Sequence, residues 1–333
     1  MSRRQRRRLV LAAGALLAAP ARALAQPRPA PRRVGFLPDP NELVRGWFVA
    51  AMKDHGWSES RDYVIVQSGS PLGLAHVEPA ARRVIAERPD VILAASTGRA
   101  LAAQRLTTTI PIVMWTSGYP VEVGLADSLA RPGRNVTGNT IFAGGEFWGR
   151  MVELLAETKP GIRRLGVLWG YAPPEFMREE IEPGQREIRQ TARALGLTTH
   201  LVEYASPEGV AAALEELDRA RPDALIIAGR RTLGAAEPQV MLFAMQKRLP
   251  TIVNLRWPLG SALHPLLAYG PSSYLLMRQA VTYVDQILKG AKPGDLPIQQ
   301  PSKIEFVVNL KTAKIIGLMV PPAILGRADE VIE

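Results

Sequence analysis

Short apolar runs recur along this chain, each closed by a turn signal and followed by a stretch with helical spacing. That alternation limits the fold more than any other feature. Arg33-Val34-Gly35-Phe36-Leu37 is the first run and stops at Pro38. Strands are expected at 62–67, 90–95, 110–115 and 135–142, with helices at 41–57, 77–87, 97–106 and 121–130 between them. The rhythm then restarts. Helices at 146–157, 175–195, 208–220 and 239–248 alternate with strands at 164–169, 198–204, 223–228 and 251–255. Asp90–Ala95 reads DVILAA and Asp223–Ala228 reads DALIIA, and Arg-Pro precedes both. Such uninterrupted apolar strands are buried on both faces, as parallel strands flanked by helices are. Their right-handed βαβ connections build open sheets.

Two series of similar length point to two similar lobes. The last section holds only a strand at 266–269, a long helix at 274–288, a strand at 303–309 and a short helix at 312–318. That is too little for a third domain, so it is expected to return to the first lobe and cross again to the second. The fold class is therefore α/β: two doubly wound parallel-sheet lobes joined by a multi-strand hinge. The N-terminal lobe is expected to comprise 34–141 plus 270–299, and the C-terminal lobe 142–269 plus 300–333. Crossings are expected near Ile141-Phe142, Ala268-Tyr269 and Gln300–Ser302. Ligands of such sheets bind at the carboxyl ends of the strands.

The chain opens as an export address. Five arginines within positions 3–8 precede an apolar run at 9–19, too short to span a bilayer, and Ala23-Leu24-Ala25 supplies a small-x-small cleavage pattern. Residues 1–25 read as a signal peptide, with a mature start at Gln26, a proline-rich spacer at 26–33 and a periplasmic destination. A general secretory signal is expected, with the twin-arginine route as the alternative. The first 25 residues carry six arginines and no acid, so their removal lowers the formal net charge from +10 to +4. A charge that mild implies no nucleic-acid partner. With no cysteine in the chain, disulfides, thiolate zinc and an N-terminal lipidated cysteine are excluded. After the signal no apolar run is long enough for a membrane helix, so no direct membrane insertion is expected.

No catalytic motif is present: no Gly-x-Ser-x-Gly elbow, no His-Glu-x-x-His and no phosphate loop. His55, His76, His200 and His264 lie far apart in sequence. The chain is read as a non-enzyme with no cofactor and no metal.

Several stretches resemble the substrate-binding proteins of a widespread ABC-transporter family linked to aromatic amino-acid uptake. They include Thr109–Val113, GLADSLARPGRNVTG at Gly124–Gly138, Tyr269-Gly270-Pro271, ILKGAKP at Ile287–Pro293 and RADEVI at Arg327–Ile332. The resemblance covers nearly all of the chain after the spacer. It implies a type I periplasmic-binding fold, no catalysis, and delivery of a small solute to the membrane permease of an ABC importer by a monomeric protein. The chain departs from the family where ligand choice is made. Tyr119 stands before Pro120-Val121 where the family usually has an acid, and Gly229-Arg230-Arg231-Thr232 follows DALIIA.

The candidate ligand-binding residues are those expected at strand ends. Asp39 follows the first strand. Ser96 and Thr97 follow DVILAA and open a helix, either as plain N-cap residues or as part of an anion site. Thr116, Ser117 and Tyr119 follow the fourth strand. In the second lobe Tyr171 could stack on a planar group, Arg230 and Arg231 could pair with an anion, and Arg256-Trp257 could supply a guanidinium and an apolar wall. The expected ligand is a small organic anion, aromatic carboxylates among the candidates, with an amino acid as the alternative. An exported hydrolase or lyase and a ligand-sensing receptor subunit are the rivals from other classes.

Overall fold

The computed structural model describes residues 30–37, 42–68, 77–142, 146–170, 178–204, 206–228, 236–255 and 264–333. The signal, the spacer up to residue 29 and the first residue of the helix expected at 41–57 lie outside them. Within this set the chain forms one compact unit from Arg32 to Glu333, built on two sheets.

The first sheet has five parallel strands in the order β2-β1-β3-β4-β5. They are β1 (Arg32–Leu37), β2 (Tyr63–Val66), β3 (Val91–Ala94), β4 (Ile112–Ser117) and β5 (Val136–Thr140). Helices α1 (Glu42–Asp54), α2 (Val77–Ala86) and α3 (Thr97–Leu106) connect them. All of β3, β4 and β5 is buried. One face packs on α1 through Phe48 and Met52, the other on α2 and α3 through Ala81, Val84 and Ala103.

The second sheet has seven strands in the order β12-β11-β10-β9-β8-β6-β7. These are β6 (Arg164–Gly170), β7 (Thr198–Tyr204), β8 (Ala224–Ala228), β9 (Thr251–Val253), β10 (Leu267–Gly270), β11 (Glu305–Asn309) and β12 (Glu330–Ile332). Helices α4 (Phe147–Thr158), α5 (Arg178–Ala194), α6 (Val210–Ala220), α7 (Glu237–Gln246), α9 (Leu310–Ile316) and α10 (Pro322–Leu325) accompany it. Strand β11 runs antiparallel to β10 and parallel to β12, so this sheet is mixed at one edge.

The repeated Arg-Pro-Asp has one physical meaning in both sheets. Arg88 and Arg221 take positive φ (50° and 48°), which ends the preceding helical turn, and the following proline cannot extend it. The aspartate then clasps the start of the neighbouring strand. Asp90 Oδ2 accepts from Arg33 N at 2.7 Å. Asp223 Oδ2 accepts from Arg163 N and Arg164 N at 2.9 and 2.8 Å. Both clasps sit at the amino ends of the strands.

One expected helix is absent. Residues 121–130 form turns instead. The N–H groups of Leu125 and Ala126 both reach back to Pro120 O, and Gly124 takes φ 75°. The buried Leu125 and Ala126 supply apolar spacing without a helix.

The chain leaves the first sheet after Thr140 and enters α4 at Phe147. It leaves the second sheet after Gly270 and enters α8 (Ser273–Leu288), which packs on the first sheet beside α1. It then runs along β5, where Asn139 bridges Gln299, before returning to the second sheet as β11. Hydrogen bonds Thr140 N→Gln299 O (2.9 Å) and Gln299 N→Gly138 O (3.0 Å) bind the outgoing and returning segments together. Gly138 is required here. Its φ is 122°, and a Cβ would stand 2.2 Å from Met114 O, where β4 bulges against β5.

Candidate ligand-binding site

The carboxyl ends of β3 and β4 lie side by side, and α3 starts directly from the end of β3. Ser96 is extended (φ −165°, ψ 164°) and holds the N-cap position of α3, but its hydroxyl makes no capping bond. It accepts from the Arg99 guanidinium at 3.2 Å instead. The plain N-cap expected of Ser96 is thus not formed, because the hydroxyl has turned to a side chain one turn along the helix.

Thr97 and Thr116 sew the two strand ends together. Thr97 Oγ1 donates to Gly118 O at 3.2 Å and accepts from Gly118 N at 2.9 Å. Thr116 Oγ1 donates to Ala95 O at 2.6 Å. Both side chains are buried and direct their hydroxyl protons to the backbone, so their role is to set the shape of this edge. Ser117 differs. Its side chain is fully buried and its Oγ has no hydrogen-bond partner. Ser117 O accepts from Ile141 N at 2.8 Å, so this hydroxyl stands where the first crossing begins.

Tyr119 follows with φ 45°, and its ring lies 4.6 Å from that of Phe142 at 35°. It packs against the core of the second lobe, with Phe142, Phe147 and Trp148. The rings continue from Phe142 to Phe147 (5.3 Å), from Phe147 to Tyr269 (5.5 Å) and from Tyr269 to Phe306 (6.5 Å). Tyr119 therefore joins an aromatic file that follows the crossings. Asp39, Tyr171, Arg230, Arg231, Arg256 and Trp257 lie outside the described residues.

Two features escaped the sequence reading. The first is Arg99, in the opening turn of α3. It is half-buried, and burial, the only perturbation acting on it, pulls its pKa down to about 10, still charged at neutral pH. Among the described residues no carboxylate pairs with it. From Val91 to Pro120 the sequence contains no Asp or Glu. A cation in a helix's first turn opposes the helix dipole, and that misfit is the signal by which the sequence could have shown it. The second is the pair Trp47 and Tyr274. Trp47 packs edge-on to buried Trp115 (6.4 Å) and to Tyr274 (5.8 Å), while Trp115 Nε1 donates to Ser273 O at 3.0 Å. This aromatic group fixes the start of α8 against β4, two residues before Ser117.

Two α/β lobes, joined by several crossings, with buried polar groups at the strand ends beside them, make up the type I periplasmic-binding fold. A family model described as ABC transporter substrate binding protein matches residues 39–332. The chain belongs to that family. A tyrosine-binding protein of Clostridioides difficile (strain R20291) is 23% identical over 273 residues, covering 81% of this chain and 75% of that protein. Among solved structures, a conserved domain protein from Vibrio cholerae has a TM-score of 0.78 at 22% identity, covering 91% of this chain and 100% of the other. The ABC domain from Streptococcus pneumoniae in complex with L-Trp has a TM-score of 0.76 at 21% identity, with the same coverage. No helix among the described residues is long and apolar enough to cross a membrane.

Proposed function

We propose that this protein is the exported, periplasmic solute-binding component of an ABC importer, that it binds a small organic anion between its lobes, and that it delivers the solute to a membrane permease as a monomer. Ligand bound at the strand ends would draw the lobes together about the crossings, and the closed form is what the permease would engage. The lobes on this reading are 34–141 plus 270–299 and 142–269 plus 300–333, with residues 1–25 removed on export. The observation that carries the ligand class is the end of the β3–β4 pair. It is acid-free in sequence, buried, and offers the unpartnered Ser117 hydroxyl where the crossing starts. Such an edge can donate hydrogen bonds to an anion, and between Val91 and Pro120 it has no acid to balance an ammonium group; Asp39 is the one acid among the proposed site residues. Asp39, Tyr171, Arg230, Arg231, Arg256 and Trp257 belong to the proposed site by their place after strands β1, β6, β8 and β9.

An amino acid is the second reading. It is favoured by the tyrosine-binding relative and by the neighbour solved with L-Trp. A thermal-shift screen of the mature protein tests both, using aromatic and aliphatic carboxylates, L-tyrosine, L-tryptophan and cationic amines. Carboxylates should raise the melting temperature. Stabilisation only by amines or uncharged solutes would refute the anion.

A further inference from the structure

We propose that Arg99 is the ligand's counter-charge: its guanidinium takes a carboxylate of the bound solute at the carboxyl ends of β3 and β4. This rests on the solute-binding reading and assigns the group that selects the ligand's charge. Three observations converge. First, the guanidinium is held at the right edge of the sheet. Arg99 lies three residues past Ser96, and its Nη1 reaches back to Ser96 Oγ, which places the charge at the end of β3. Second, its surroundings disfavour a cation. It sits in the first turn of a ten-residue helix, where the exposed amide groups are already positive, and the first turn contains no acid. The same residue is partly desolvated, and no carboxylate among the described residues neutralises it. A buried charge without a partner is costly, and a bound anion would remove both penalties at once. Third, the adjoining hydroxyl is waiting. Thr97 bonds Gly118 in both directions, so the backbone that follows Ser117 is held at the start of α3, and Ser117 Oγ is buried and without a partner.

A carboxylate suits this set better than a point anion does. A guanidinium presents two parallel N–H groups to two oxygens, and Ser117 Oγ–H can donate a further bond. Neither Arg99 nor Ser117 offers an ammonium a counter-charge, so at this edge the solute is expected to be held by its carboxylate, and an amino acid and its desamino analogue are expected to make the same contacts here.

The test uses the mature protein, calorimetry and a matched panel: 3-phenylpropionate, 3-(4-hydroxyphenyl)propionate, L-tyrosine, benzoate, hexanoate, glutarate and the primary amide of each acid. Carboxylates should bind and their amides should bind at least tenfold more weakly. Arg99→Met should weaken carboxylate binding at least tenfold and weaken amide binding by a clearly smaller factor. Arg99→Lys should fall between, since it keeps the charge and loses the fork. Ser117→Ala should weaken carboxylate binding by a smaller factor. Folding of the variants is read independently. The ligand-free Arg99→Met protein should melt higher than the unmodified protein, because it no longer holds a partly desolvated cation that no carboxylate among the described residues neutralises. Amides binding as well as acids, or Arg99→Met binding carboxylates as the unmodified protein does, would overturn the assignment while leaving a solute-binding protein. Failure of the whole panel, acids and amides alike, would overturn both this assignment and the anion reading on which it rests.

Discussion

Asp90 and Asp223 occupy equivalent places in the two sheets, and removing each should destabilise the protein unequally, by amounts that follow from their hydrogen bonds. Asp223 Oδ2 accepts from two backbone N–H groups, and its Oδ1 takes Arg164 Nη2 at 3.1 Å. Asp90 holds one backbone N–H and the exposed Arg32. A hydrogen bond to a charged group contributes about 1.5–3 kcal/mol when protected. Part of that is recovered by water at the side of a sheet, and the exposed arginine pairs contribute little. Asp223→Ala should therefore cost about 2–4 kcal/mol and Asp90→Ala about 1–2 kcal/mol. Asparagine keeps one acceptor oxygen, so Asp223→Asn should cost less than Asp223→Ala. The pH dependence has a definite sign. Burial by itself would raise the Asp223 pKa, but the bonds from Arg163 and Arg164 outweigh it and the pKa lies below the ordinary value. Its contribution is then complete above the unfolded value of about 3.9 and lost as pH falls through the folded value. Urea unfolding of the three variants at pH 7, followed by far-UV circular dichroism, reads the order directly. Ligand affinity should not change, since both clasps lie at the amino ends, away from the carboxyl strand ends where the site is proposed. Equal losses at the two positions, or an asparagine as damaging as alanine, would refute the reasoning.

Trp57 Nε1 donates to Asp285 Oδ1 at 2.7 Å, and Trp57→Phe should cost about 1.5–3 kcal/mol in urea unfolding. Burial opposes ionisation of Asp285, yet bonds from Lys289 and Trp57 and the charges of Lys289 and His55 bring its pKa below the ordinary value. The same variant should therefore lose less additional stability than the unmodified protein on acidification below about pH 3.9. Gly138→Ala combines a positive φ with a backbone obstacle and should cost roughly 2–5 kcal/mol, read as a lower melting temperature or loss of soluble protein. Gly35→Ala should be milder, because its obstacle at 2.5 Å is the Val84 Cγ1 methyl, which can turn away.

The strand positions were within reach of the sequence because buried parallel strands must be apolar throughout. VILA at β3 and ALIIA at β8 could hardly be anything else. The twin Arg-Pro-Asp marked equivalent points of the two sheets for a reason the structure supplies, the clasp on the next strand. Turns that imitate helical spacing were not within reach. Leu125 and Ala126 are buried like residues of a helix, but bonds back to Pro120 and the positive φ of Gly124 fold them into a coil. The short tail strand β12 pairs over only three residues and carried too little pattern to be read. For the described candidate residues, the place at a strand end was legible and the contacts were not. Serine and threonine at strand ends were correctly placed at the edge of β3 and β4. Which hydroxyls brace the backbone and which stands unpartnered depends on contacts between distant residues, such as Thr97 with Gly118.

Arg99 also bears on how ligand and closure could be linked. If the lobes approach each other over the carboxyl edge, water leaves that edge, and the desolvation already acting on Arg99 grows. An empty site would then resist closing, because a cation that no carboxylate among the described residues neutralises opposes its own burial. A carboxylate reverses the sign, since a charge-assisted pair strengthens as water is excluded. One residue would thus favour the open form when empty and the closed form when occupied, without a separate latch. The aromatic file from Tyr119 to Phe306 carries no charge and should respond equally in both states. Small-angle scattering can test this reasoning. Ligand-free Arg99→Met should be more compact than the ligand-free unmodified protein, and added carboxylate should contract only the latter. Identical scattering of the two ligand-free proteins would remove Arg99 from any account of closure.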